Sequence, residues 1–243
     1  MLSNQLFLDS ILNSFKEFIK SGTSRSPKKL KPLHGAIASD LAQILGNDYK
    51  IWSQGYEDGK EKQINGRYID KKVDITIEDI RTSKPIAGIG VKFVMQNYSQ
   101  NSVNYFENML GETANIRTAN YPYFQIFIIL DKLPYYENKG KLTHWEKFTD
   151  HNMSKYCKLS LDNIDRFLHT PNKTLIYVVH IDPNIPTTTN TKKDYFEFYK
   201  NNFKNLRITN SAYKYKELAN NGTIIMNDYK LFLDKVYHTI KAL

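Results

Sequence analysis

Hydrophobic residues in the first part of the chain recur every three or four positions, the spacing of an amphipathic helix. The first apolar stripe consists of Leu6, Phe7, Ile11, Leu12, Phe15, Phe18 and Ile19. It predicts a helix over residues 4–20, which Gly22 would end because glycine tolerates the left-handed conformation that follows a helix. A second stripe consists of Ile37, Leu41, Ile44 and Leu45. It predicts a helix over residues 34–45, ended by Gly46.

Beyond Gly46 the apolar spacing changes to the period of two that is typical of strands. Strand patterns cover residues 49–56, 67–79, 85–95, 123–130 and 173–181. Helical patterns lie near residues 102–117, 144–168 and 194–204. Asn227 is a candidate N-cap for a last helix running to residue 242, with Leu231, Val236 and Ile240 facing inward. This order predicts an α/β fold with a mixed central β-sheet flanked by helices.

The length of the chain favours a single domain, since 243 residues with 41% hydrophobic content can bury one core. We therefore expect one domain over residues 1–243. Within it, the N-terminal helix 4–20 and a basic loop 21–33 precede a core of about 34–182, and a helical part over 192–243 follows.

The overall charge favours a polyanionic partner. The formal net charge of +9 and the pI of about 9.3 would attract nucleic acid, although the lysines could equally reflect A/T-rich codons. The single cysteine, Cys157, excludes an intramolecular disulfide and a cysteine-based zinc cluster and fits a cytoplasmic protein. No apolar run approaches ~18 residues and the N-terminal segment lacks a signal-peptide pattern, so neither membrane insertion nor export is expected.

The polar residues best suited to chemistry lie within KKVDITIEDIRTSKPIAGIGVKFVMQ. Asp74 alternates with apolar residues in one strand, and Lys92 does so in the next. Turn-forming residues between the strands predict an antiparallel hairpin centred near Thr82. This register sets Asp74 opposite Gly90, with Lys92 one step along the same face. A carboxylate and a lysine would then lie side by side on rigid backbone, where glycine leaves room for a metal ion or a phosphate.

This pairing resembles the core of the PD-(D/E)xK nucleases, in which an acidic residue ends one strand and an acidic-x-Lys triplet lies on the next. In this chain VDI supplies Asp74, and GVK supplies Gly90, Val91 and Lys92. Two positions depart from the family pattern. Val73 stands where the family often has Pro, and Gly90 stands where it has an acidic residue, which removes one metal ligand.

Some restriction enzymes of this family take the missing carboxylate from the helix that follows the lysine. Glu107 borders the buried stripe of that predicted helix and is the first choice, and Glu112 on the opposite border is the second. Glu61 and Glu57, which precede the Asp74 strand, are further alternatives. The Mg²⁺ ligands that the resemblance implies are Asp74, Glu107 and the carbonyl of Val91.

Across roughly residues 35–130, the resemblance implies a type II restriction endonuclease that hydrolyses double-stranded DNA with Mg²⁺. Lys92 would orient the attacking water and offset charge on the scissile phosphate. A homodimer is expected because a palindromic site presents two equivalent strands to a two-fold symmetric protein. Two alternatives stay open: a structure-specific or repair nuclease of the same fold, and a DNA-binding protein that Gly90 has made inactive.

Residues that could contact DNA lie outside the hairpin. Lys28, Lys29 and Lys31, in the segment SGTSRSPKKLKP, suit either phosphate contacts or a solvated linker. Asn101 and Asn104 lie on one stripe of the predicted helix, and Asn can pair with adenine. The six histidines show no metal-ligand spacing, so the sequence predicts structural or exposed roles for them.

Overall fold

A computed structural model describes residues 4–23, 26–213, 215 and 222–243. The helices are α1 (Asn4–Ser21), α2 (Lys31–Leu45), α3 (Tyr98–Arg117), α4 (Asp150–Ser160), α5 (Lys192–Asn201) and α6 (Tyr229–Lys241). The strands are β1 (Tyr49–Ser53), β2 (Gln63–Asn65), β3 (Asp70–Lys72), β4 (Ile75–Asp79), β5 (Lys84–Val94), β6 (Tyr123–Leu130), β7 (Lys132–Tyr136), β8 (Leu142–Lys147), β9 (Lys173–Asp182), β10 (Arg207–Asn210) and β11 (Ile224–Met226).

A seven-stranded mixed sheet forms the centre of the molecule, in the order β1-β4-β5-β6-β9-β10, with β11 also paired to β9. The β1, β4 and β5 strands are antiparallel, whereas β5, β6 and β9 run parallel. Two hairpins, β2–β3 and β7–β8, stand outside this sheet. The predicted α/β class, with a mixed central sheet flanked by helices, is confirmed.

The hydrophobic core lies on both faces of the parallel strands. Every residue of β6 is buried, as expected for a parallel strand covered on both faces. On one face α1 contributes Phe7, which stacks on Tyr229 of α6 with ring centroids 3.8 Å apart and meets Tyr177 of β9 edge-on at 5.0 Å. On the other face Tyr98 of α3 packs against Phe127 of β6. Each large side chain removed from water in this way contributes about 1.5–3 kcal/mol to stability.

The predicted Asp74–Lys92 hairpin has the expected register from Ile75 to Ile77, whereas a β-bulge between Ile77 and Glu78 shifts the pairing by one residue nearer the turn. Ile75 pairs with Ile89, and Thr76 pairs with Gly88. The predicted strand 67–79 is split into β3 and β4, and Asp74 occupies the break immediately before β4. Continuing the register by one step places Asp74 opposite Gly90, as the alternation predicts.

Several predicted elements differ from the structure. The helix predicted near 144–168 is wrong at both ends, because residues 142–147 form β8, which pairs with β7, and α4 covers only 150–160. The predicted basic loop 21–33 contains a 3₁₀ turn, Pro27–Leu30, and the start of α2, while residues 24 and 25 lie outside the described residues. The C-terminal part over 192–243 is not only helical, since β10 and β11 join the sheet there.

The start of α6 also differs from the prediction. Asp228, not Asn227, caps the helix, because the Asp228 side chain accepts a hydrogen bond from the Leu231 backbone N–H at 3.0 Å. Asn227 instead accepts from the backbone N–H of Val178 at 2.8 Å and so ties the helix start to β9. Leu231, predicted to face inward, is 41% exposed, whereas Val236 is buried as expected. No helix in the described ranges is long and apolar enough to cross a bilayer.

Candidate functional site

An open cleft of ≈ 690 Å³ lies where the Asp74 end of the hairpin faces α3. Asp74, Gly90, Val91 and Lys92 line it from the sheet. The α3 helix contributes Tyr105, Glu107, Asn108, Met109, Gly111, Glu112 and Asn115. Leu30, from the basic segment, also lines it. The structure therefore brings the four hairpin residues of the predicted site together with both helix carboxylates.

Asp74 is held in a fixed orientation. Its Oδ2 accepts a hydrogen bond from the Val91 backbone N–H at 2.7 Å, and its own carbonyl accepts one from the Ser53 hydroxyl at 2.9 Å. Burial raises the pKa of Asp74 to about 6; the Val91 hydrogen bond opposes this shift and the charge of Glu112 adds to it. A partly desolvated carboxylate with nearby negative charge is a group that a bound cation would stabilise.

Lys92 reaches the same cleft from β5. Its ammonium lies 4.4 Å from the centre of the Tyr105 ring, within cation–π range. Partial burial lowers the pKa of Lys92, while the charges of Asp74 and Glu112 raise it. Burial and the charge of Lys92 lower the pKa of Lys29 to about 8. The basic segment before α2 therefore adds a second ammonium to this region.

Gly90, the departure from the family pattern, lies against side chains of β6. A Cβ added at Gly90 would lie 2.7 Å from the Tyr123 hydroxyl oxygen and 2.8 Å from Oε1 of Gln125, its register partner. The ends of the Tyr123 and Gln125 side chains thus occupy the space that a Cβ at Gly90 would need. The chain therefore cannot carry the usual carboxylate at this position without moving Tyr123 or Gln125.

Glu112 stands close to the position that Gly90 leaves without a carboxylate. The Tyr123 hydroxyl donates a hydrogen bond to Glu112 Oε1. The Lys71 ammonium lies 2.9 Å from the other oxygen, Oε2. Glu112 thus has two polar partners, whereas Glu107, which also lines the cleft, is exposed. Glu57 is exposed in the loop after β1 and does not line the cleft.

Glu61 also lies near Asp74, together with His34, a residue that the sequence did not indicate as a ligand. Ligand atoms of His34, Glu61 and Asp74 all lie within 4.8 Å of one another, the only such group of three found among the described residues. Gln54 donates a hydrogen bond to Glu61 Oε1 at 2.8 Å. Burial and the charge of Asp74 raise the pKa of Glu61. Burial lowers the pKa of His34 to about 4, although Glu61 opposes the shift.

Two glycines allow His34 to come this close to the loop that carries Glu61. A Cβ at Gly35 would overlap the carbonyl oxygen of Gly55, and a Cβ at Gly55 would overlap the carbonyl oxygen of Lys31. Gly55 also has φ +83°, which favours glycine. The first turns of α2 therefore pack directly on the backbone after β1, and this contact fixes the distance between His34 and the following loop.

Comparisons with known proteins do not add to this geometry. No family model, no curated protein and no solved structure matches the chain.

The predicted DNA-contacting residues are placed around the cleft with different exposure. Lys28 and Lys31 are exposed, and Lys29 is half-buried near Lys92. Asn101 donates a hydrogen bond to the Asn97 carbonyl at 3.1 Å, and Asn104 is exposed. Neither asparagine lines the cleft, so their predicted role in base contacts stays a prediction.

Asn115, which also lies in α3, has a structural role. Its Oδ1 accepts hydrogen bonds from the backbone N–H groups of Tyr68 and Ile69, and its amide donates to the Ile69 carbonyl. These bonds hold the β2–β3 loop against α3 beside the cleft. Ile69 lines the cleft as a result.

Proposed function

We propose that the protein is a divalent-metal-dependent DNA endonuclease of the PD-(D/E)xK type. The observation that carries this proposal is the juxtaposition of Asp74 and Lys92 on neighbouring strands at the floor of an open cleft. Glu61 and Glu112 both lie near Asp74, and Lys29 adds positive charge near Lys92. This is the arrangement that hydrolysis of a phosphodiester requires: oxygen ligands for a cation, and an ammonium for the phosphate.

The donor set fits a divalent cation. Asp74 and Glu61 offer carboxylate oxygens within reach of each other, and hard cations such as Mg²⁺ prefer oxygen ligands. A bound ion would neutralise charge on the phosphate and lower the pKa of the attacking water. We propose Mg²⁺ as the physiological cofactor and Glu61 as the carboxylate that replaces the acidic residue missing at Gly90.

The protein's own groups orient the reaction. The Val91 N–H fixes the Asp74 carboxylate, so that its geometry does not depend on the substrate. Lys92, held near Tyr105 at the cleft surface, positions an oxygen of the scissile phosphate or the attacking water and offsets developing charge. Tyr123 and Lys71 hold Glu112 against the far wall, which keeps its negative charge near the hairpin.

The basic charge of the chain supports DNA as the substrate, because it would attract a polyanion over long range. Among DNA nucleases, we favour a type II restriction endonuclease that cuts double-stranded DNA as a homodimer. A structure-specific nuclease would cut branched DNA in preference to linear duplex. An inactive relative would bind DNA without cutting it.

The test is cleavage of methylation-free plasmid DNA with Mg²⁺ or Mn²⁺, stopped by a chelator. Asp74→Asn and Lys92→Ala should each reduce cutting by at least ~10²-fold, while DNA binding in Ca²⁺ is retained. Asp79→Asn and Lys84→Ala are the matched controls, because they lie on the same hairpin outside the cleft. Intact DNA with every ion and substrate, including branched DNA, would overturn the proposal.

A further inference from the structure

His34 is an unusual buried histidine. It is 4% exposed, and neither ring nitrogen has a hydrogen-bond partner. Buried polar atoms are paired in the great majority of cases, so an imidazole with two unpaired nitrogens needs a physical explanation. A lone pair that accepts no hydrogen bond is free to bind a metal ion, and imidazole is the commonest metal ligand in proteins.

Two carboxylates lie close to this imidazole. Glu61 and Asp74 each offer an oxygen, and all three ligand atoms lie within 4.8 Å of one another. Two ligands on opposite sides of one ion at ~2.2 Å are ~4.4 Å apart. Small side-chain rotations are therefore enough to place all three atoms around one ion, with positions left for water and substrate.

The three ligands are carried by supports that keep them in place. His34 lies in α2, whose first turns pack on the backbone at Gly55. Gln54 holds Glu61 through a hydrogen bond of 2.8 Å. The Val91 N–H holds Asp74 through one of 2.7 Å. Partners of this kind orient metal ligands and increase affinity.

We propose that His34, Glu61 and Asp74 form one mixed nitrogen–oxygen site for a divalent first-row transition ion, and that Mn²⁺ binds it more tightly than Mg²⁺ or Ca²⁺. Imidazole suits transition ions, whereas Mg²⁺ and Ca²⁺ prefer oxygen. The site therefore still admits Mg²⁺ through its two carboxylates but discriminates through His34. Only the role of the ion in DNA cleavage rests on the proposed function; ion binding does not.

The first experiment measures ion binding to the full chain without DNA, by calorimetry and by the electron paramagnetic resonance signal of free Mn²⁺. Wild-type protein should bind Mn²⁺ at least ~10-fold more tightly than Mg²⁺. His34→Gln, Glu61→Gln and Asp74→Asn should each weaken Mn²⁺ binding by ~10-fold or more. His34→Gln should also remove most of the preference for Mn²⁺ over Mg²⁺.

Two variants separate this site from the alternatives. Glu57→Gln is the matched control, since Glu57 is an exposed carboxylate of the same loop, and it should leave Mn²⁺ binding unchanged. Glu107→Gln tests the helix carboxylate and should also leave it unchanged. Loss of binding in Glu107→Gln with full binding in His34→Gln would overturn the proposal.

A second measurement on wild-type protein does not depend on the folding of any variant. Pulsed electron paramagnetic resonance of bound Mn²⁺ should show coupling to one imidazole nitrogen. Binding without nitrogen coupling would overturn the assignment of His34. If the protein cuts DNA but shows no such coupling, the nuclease proposal stands and this site does not. If it binds Mn²⁺ through nitrogen but cuts no DNA, the metal-site proposal stands and the nuclease proposal does not.

Discussion

Gly90 stands where the PD-(D/E)xK pattern has an acidic residue, and the neighbouring side chains leave little room for a Cβ at this position. An acidic residue at position 90 would place its Cβ too close to Tyr123 and Gln125, two side chains of the neighbouring parallel strand. The hydroxyl of Tyr123 in turn holds Glu112. The Tyr123 hydroxyl thus lies close both to Gly90 and to Glu112.

We expect Gly90→Ala to lower the free energy of unfolding by about 1–3 kcal/mol, because added volume in a packed interior forces its neighbours to move. Gly90→Glu, which restores the acidic residue, should cost at least as much and should not improve cleavage. Urea denaturation measures the first effect. Plasmid cleavage measures the second.

The double variant Gly90→Ala with Tyr123→Phe identifies the atom responsible. Removing the hydroxyl relieves the closest contact, 2.7 Å from the added Cβ. The double variant should therefore be more stable than the sum of the two single effects predicts. Simple additivity would show that the Tyr123 hydroxyl is not what excludes a side chain at Gly90.

At the scale of elements, the close contact between α2 and the backbone after β1 decides whether His34 and Glu61 meet. Gly35 and Gly55 make this contact through backbone atoms alone. Backbone cannot move aside as a flexible side chain can. The contact should therefore be sensitive to a single methyl group.

We expect Gly35→Ala to destabilise the protein by roughly 2 kcal/mol and to weaken Mn²⁺ binding, since α2 must shift away from Gly55. Alanine stabilises a helix by about 0.5–1 kcal/mol relative to glycine, so the overlap with the Gly55 carbonyl must cost more than that gain.

Gly111→Ala in α3 is the control, because its Cβ would meet nothing within 4 Å. It should stabilise the protein by that same 0.5–1 kcal/mol. Thermal unfolding of both variants separates the effect of overlap with Gly55 from that of helix propensity. Equal stabilisation of the two variants would contradict the overlap.

At the scale of the whole molecule, the net charge of +9 predicts salt-dependent association with DNA. Phosphate contacts release condensed counterions, so affinity should fall steeply as salt rises. The 3₁₀ turn Pro27–Leu30 contains Lys28, Lys29 and Leu30, of which Leu30 lines the cleft, and Lys31 follows it directly. Lys29 also lies near Lys92 of the cleft, so we expect these lysines to contact phosphates.

Replacing these three lysines with Gln should reduce the slope of log K against log salt by up to ~3. Affinity should fall about equally for all sequences, since phosphate contacts carry no base information. Fluorescence anisotropy with a labelled duplex measures both. The control replaces Lys193, Lys200 and Lys204, which lie in or after α5 outside the cleft lining. An equal change in slope for both triple variants would show a diffuse charge effect and no defined contact.

The sequence by itself determined the elements whose apolar spacing is regular, including α1, β5, β6 and β9. It also determined the register of the β4–β5 hairpin at Ile75–Ile77, because the alternation of side chains is local, but it did not indicate the β-bulge between Ile77 and Glu78. The positions of Asp74, Gly90 and Lys92 relative to one another follow from that register. The short strands β10 and β11 could not be predicted, since their pairing with β9 depends on distant segments.

Only the tertiary structure decided which other groups meet Asp74. His34, Glu61 and Asp74 come from a helix, a loop and a strand end, and no spacing along the chain relates them. The filling of the space at Gly90 by Tyr123 and Gln125 likewise depends on parallel pairing between β5 and β6. Periodicity shows which face of an element is buried. Which faces meet is set by packing, and here by two glycines that let a helix rest on backbone.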